Sequence, residues 1–73
     1  MSDAQIMASL RRIMTQTGLT YSQLAIGAGV SPSTVREALA LDRPPGRRAP
    51  RDALVRFAAV NQNARTRAEI QLA

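Results

Sequence analysis

Apolar residues recur at the helical period in four separate stretches of this chain. Ile6, Met7, Leu10, Ile13 and Met14 make the first stripe and predict a helix from about Asp3 to Thr17. Ser2 or Asp3 can cap its start, Gly18 ends it, and Leu19 is expected in the core. Leu24, Ala25 and Ala28 predict a second helix over about 21–28. Val35, Ala38 and Leu39 predict a third over about 32–40. Leu54, Val55, Phe57, Ala58 and Val60 predict a fourth over about 51–60, with Phe57 as a core anchor. No segment alternates long enough to argue for a strand. The expected class is therefore all-α, a compact bundle of four or five helices.

The polar residues between these stripes act as punctuation. Thr20 followed three residues later by Gln23 has the spacing of a capping box. Gly29 can take positive φ and end the second helix, and Val30 plugs the gap that follows. Ser31-Pro32 is a start signal, a serine cap before proline in the first turn. Two short helices joined by a tight glycine turn have the layout of a helix-turn-helix, whose second helix can enter a DNA major groove.

Two segments carry no clear stripe. Residues 41–51, LDRPPGRRAPR, hold three prolines and a glycine, which should forbid a helix there. Arg43, Arg47, Arg48 and Arg51 make this the most basic part of the chain. Residues 61–73 begin with a break at Asn61-Gln62-Asn63. The remainder reads either as a fifth helix, with Ala68, Ile70 and Leu72 as weak apolar points, or as a frayed tail. The expected organisation is one domain over 1–60, with 61–73 as a helix or tail that serves dimerisation.

At residues 20–39 the chain resembles the Cro/C1-type repressor family, also called the XRE family. Ala25 matches the family's small residue in the first helix of the motif, Gly29 its turn glycine, Val30 the apolar residue after it, and Val35 its β-branched position. Ala38 stands where the family places a large aliphatic, and Leu39 next to it can fill the same space. The resemblance covers roughly residues 5–60. It implies a lambda-repressor-like bundle that reads DNA with the helix at about 32–40.

Carried over position by position, the resemblance makes Ser31, Pro32, Ser33, Arg36 and Glu37 the candidate base contacts. Arg36 suits a guanine O6/N7 pair, Glu37 can accept from cytosine N4, and Pro32 offers apolar contact to a thymine methyl. Thr20, Tyr21, Ser22 and Gln23 stand at a helix N-terminus suited to a phosphate. Arg43, Arg47 and Arg48 follow the recognition helix and complete the candidate phosphate contacts. Each has a plainer role open to it: Ser31 and Pro32 as a helix start, Gln23 as half of a capping box, the arginines as solvated surface. Arg11, Arg12, Arg65 and Arg67 are read as solvation alone. Relatives usually dimerise on half-sites about 34 Å apart. The expected homodimer surface is Leu54, Phe57, Val60, Ile70 and Leu72.

Composition narrows the classes. The net charge is +5, and all ten basic residues are arginine. A GC-rich genome accounts for arginine in place of lysine, but not for the positive excess. That excess points to nucleic acid or an acidic partner. There is no cysteine and no histidine, and the five acids Asp3, Glu37, Asp42, Asp52 and Glu69 are scattered, so catalysis is not expected. No cofactor, metal or small-molecule ligand is expected. No apolar run suits a signal peptide or a membrane span, so a cytoplasmic protein with no membrane partner is the simplest expectation. The leading reading is a small double-stranded-DNA-binding transcription regulator, most simply a repressor. An interaction module, such as an antitoxin or RNA polymerase adaptor, is the second. Non-specific nucleoid or RNA binding is the third.

Overall fold

The computed structural model describes residues 2–72. Four α-helices, α1 (Asp3–Thr17), α2 (Tyr21–Ala28), α3 (Pro32–Leu41) and α4 (Arg48–Val60), are followed by a single 3₁₀ turn over Arg67–Glu69. There is no strand among the described residues. The all-α bundle expected from the stripes is what the chain forms. Helix α2 packs against α3 and α4, and α1 packs against α4.

Local sequence explains where the first three helices start and stop. Ser2 Oγ accepts from the Gln5 N–H at 3.2 Å while Gln5 Oε1 accepts from the Ser2 N–H at 2.8 Å. Thr20 and Gln23 repeat the same reciprocal bonds, at 3.2 and 2.9 Å, ahead of α2. Each box occupies two N–H groups that a helix start leaves free. Gly18 and Gly29 end α1 and α2 in the left-handed region, at φ 74° and 79°. A side chain at either position would be strained. The Gly29 and Val30 N–H groups both return to Ala25 O, which closes the turn before α3.

The stripes meet in one core. Ile6, Met7, Leu10 and Ile13 of α1 join Leu24, Ala25 and Ala28 of α2, Val35, Ala38 and Leu39 of α3, and Leu54, Phe57 and Ala58 of α4. Leu19, Val30 and Met14 pack against it half-buried. Ala38 and Leu39 are both buried in this core. Gly27 sits where space is short: a β-carbon there would stand 3.0 Å from Phe57 Cε2 and 3.2 Å from Leu72 Cδ2.

Two expectations need correction. Helix α4 begins at Arg48, not near 51, so it includes Pro50. Proline is harmless there because the third residue of a helix has no N–H bond to lose. The segment after 60 is neither a fifth α-helix nor a frayed tail. Asn61 is buried; its amide donates to Phe57 O and Gln71 O at 3.0 Å each, and its Oδ1 accepts from the Gln71 N–H at 2.6 Å. Glu69 Oε1 accepts from the Arg65 and Thr66 N–H groups, which holds the 3₁₀ turn. The Arg67 guanidinium donates to Gly18 O at 3.1 Å. The tail is thus laid back over α4 and the end of α1, and residue 73 lies outside the described residues. Asn61→Ala should lower stability by about 1 kcal/mol, because both tail bonds go while Gln71 can rehydrate. Urea denaturation checks this, together with faster amide exchange at Gln71.

Candidate nucleic-acid interface

Helix α3 divides into an inner and an outer side. Val35, Ala38 and Leu39 are buried, while Ser33, Arg36, Glu37, Ala40 and Leu41 are exposed. At ~100° per residue, Ser33, Glu37 and Ala40 lie along the centre of the outer side. Arg36 falls on one flank, and Thr34 and Leu41 fall on the other.

The start of α3 is a small network of hydroxyls. Ser31 Oγ accepts from the Thr34 N–H at 3.3 Å and lies 2.7 Å from Thr34 Oγ1 and 3.3 Å from Ser33 Oγ. Ser31 is therefore engaged as a cap, although its residue remains exposed. Pro32 is half-buried in the first turn. Ser33, Arg36 and Glu37 have the freer side chains of the five candidate base contacts.

The far flank of α3 faces the arginine loop across a groove of about 460 Å³. Thr34, Glu37 and Leu41 line one side; Arg43, Pro44, Pro45 and Arg47 line the other. Pro44 is buried and Pro45 half-buried, so the prolines stiffen the loop that holds the two arginines outward. Among the described residues no carboxylate lies within salt-bridge distance of Arg36, Arg43 or Arg47. Arg48 differs: its side chain is almost fully exposed, and its Nε lies 3.9 Å from Asp52.

Arg47 also occupies the cap position of α4 and makes no side-chain cap bond. No acid stands in the first turn of that helix, whereas Arg48 and Arg51 do. Cations at a helix N-terminus oppose the helix dipole. Arg51 is partly relieved by Asp3, at 2.7 Å. Free N–H groups and arginine side chains thus converge at the start of α4, an arrangement that an anion would stabilise.

The start of α2 is a separate place, and no α2 residue lines the groove. The capping box uses the Thr20 hydroxyl and Gln23 Oε1. That leaves the Tyr21 and Ser22 N–H groups, the Ser22 hydroxyl and the Gln23 side-chain NH₂ as donors. All four residues from Thr20 to Gln23 are exposed.

The residues expected at a dimer surface are split by the fold. Leu54 and Phe57 are 0% and 3% exposed, so they are core residues and offer nothing to a second copy. Ile70 is half-buried against that core. Val60 and Leu72 remain exposed, beside a smaller groove of about 190 Å³ between α2 and α4. A helix stripe alone does not separate core from interface, because both are apolar.

Four residues have roles here that the sequence reading did not give them. Thr34 and Leu41 share a flank with Glu37 at helical spacing, a signal that was present but masked by their ordinary chemistry. Arg11, read as solvation, donates to Leu39 O at 2.8 Å and to Asp42 Oδ1 at 3.1 Å. Arg67 likewise has a partner, Gly18 O.

No family model matches the chain, and no curated protein or solved structure matches it. The reading of this surface therefore rests on its own chemistry. No helix among the described residues is long and apolar enough to cross a membrane.

Proposed function

We propose that the chain is a small sequence-specific regulator that binds double-stranded DNA through a Cro/C1-type helix-turn-helix formed by α2 and α3. The observation that carries this reading is the shared groove. Thr34, Glu37 and Leu41 of α3 share it with Arg43, Arg47 and the uncapped start of α4, and Arg36 stands on the other flank of the same outer side; among the described residues Arg36, Glu37, Arg43 and Arg47 have no ion-pair partner. Local rules broken in this way mark a surface built for a partner. A nucleic acid offers the anions that the arginines lack and the base edges that α3 can read.

In this reading Arg36 donates to a guanine, Ser33 donates or accepts at a base or phosphate, and Glu37 accepts from a cytosine N4. Glu37 in the middle of the face repels phosphate, so it favours a register in which a base edge, and not the backbone, lies over it. Arg43 and Arg47, with Arg48 at the margin, take phosphates on one side; Tyr21, Ser22 and Gln23 take one through the start of α2. A single domain this small binds weakly. Two copies on adjacent half-sites, acting in the cytoplasm as a repressor, complete the proposal. Val60 and Leu72 are the expected residues still accessible to form such a pair.

Arg47→Ala should weaken binding to all duplexes alike and make the plot of log K against log salt shallower by about one unit. Fluorescence anisotropy over a salt series measures both. A change in sequence preference would instead move Arg47 to a base edge.

A second reading is an interaction module, an antitoxin or RNA polymerase adaptor. The exposed Val60 and Leu72 around the α2–α4 groove favour it. Competition by duplex DNA for a captured partner separates the two readings.

A further inference from the structure

Arg11 lies on α1, off its buried stripe, and joins α1 to the end of α3. An uninterrupted helix would give the Arg43 N–H to Leu39 O. Here that N–H goes to Ala38 O at 3.1 Å, and the Arg11 guanidinium takes its place at Leu39 O at 2.8 Å. The same nitrogen donates to Asp42 Oδ1 at 3.1 Å. Asp42 is the one non-glycine residue at positive φ among the described residues, at 55°. Side chains reach this region at a cost, aspartate less than most. Its left-handed turn ends α3 and sends the chain toward Arg43 and Arg47.

We propose that Arg11 is a positioning residue for the DNA surface. Its two bonds hold Leu39 and Asp42, and so set where the arginine loop leaves α3. The loop arginines are thereby held in register with Ser33, Arg36 and Glu37. This inference rests on the DNA-binding reading above. It assigns Arg11 a positioning role and no DNA contact: one terminal nitrogen of its guanidinium bonds both Leu39 O and Asp42 Oδ1.

The test is a salt series of anisotropy measurements on a random-sequence duplex pool and on the duplex enriched from it. Arg11→Ala is expected to make the salt plot shallower by about one unit, as if a phosphate contact were lost. Affinity for both duplexes should fall by the same factor, since phosphate contacts carry no sequence information. With both Arg43 and Arg47 replaced by alanine, Arg11→Ala should change nothing further, because a residue that acts through others adds nothing once they are gone. Asp42→Gly keeps the left-handed turn without strain and removes the carboxylate. It should shift the salt plot in the same direction, and it carries the test if Arg11→Ala does not fold.

An unchanged salt plot for Arg11→Ala, with the wild-type chain bound, overturns this inference and leaves the DNA-binding reading standing. So does an Arg11→Ala loss that persists without Arg43 and Arg47, or a steeper plot for Asp42→Gly; both would mean that Arg11 meets phosphate itself. Failure of the wild-type chain to bind either duplex overturns the inference and the reading together.

Discussion

Phe57→Ala is expected to lower stability by about 3–5 kcal/mol. A chain of 73 residues has on the order of 4–11 kcal/mol to lose, so much of the population should unfold near body temperature. Phe57 is 3% exposed, belongs to the buried core cluster, and its ring lies against Gly27 of α2. Truncation would leave a cavity that Gly27, which has no side chain, cannot fill. Denaturant titrations at two protein concentrations measure the effect. The midpoint of the variant should fall equally at both, because the lost contacts lie within one chain. A loss that grows on dilution would return Phe57 to a surface shared between copies.

Arg36→Ala is expected to cost about 1–3 kcal/mol in binding to the preferred duplex and to relax the preference at one base pair. The guanidinium stands on the exposed outer side of α3 with no carboxylate partner among the described residues, so its removal should leave the fold intact. Competition among single-base variants of the preferred site reads the effect position by position. An equal loss on every variant would place Arg36 on the backbone with Arg47, and would leave Ser33 and Glu37 to read the bases.

Most of the fold was legible because its determinants are local. The Thr20–Gln23 box, Gly18, Gly29 and Ser31-Pro32 act within a few residues of themselves, and α1, α2 and α3 begin where those signals stand. The start of α4 was missed because proline is read as a breaker, whereas in the first turn it loses nothing. The tail was missed because its anchor is long-range: Asn61 looks like a turn residue until its amide meets Gln71, ten positions on. The same limit applies to Arg11, whose partners Leu39 and Asp42 lie 28 and 31 positions away. Surface arginines with distant partners look like any others in sequence. Leu54 and Phe57 fell to the opposite error, since an apolar stripe marks burial without saying what covers it. For the candidate site, residue types were legible and their grouping was not. Arg43 and Arg47 share a groove with Glu37 only because Asp42 turns the chain back across α3.

The central claim is that α3 and the arginine loop form one surface for duplex DNA. Selection from a random duplex library at about 150 mM salt, with the purified chain, tests it most directly. The account predicts enrichment of a short site, repeated as a palindrome with half-sites about one helical turn apart. With Arg36→Ala the enriched site should lose its preference at one base pair of each half-site, and with Arg47→Ala binding should weaken overall. No duplex binding at any salt concentration would contradict the account and leave the exposed apolar groove between α2 and α4 as the surface to pursue.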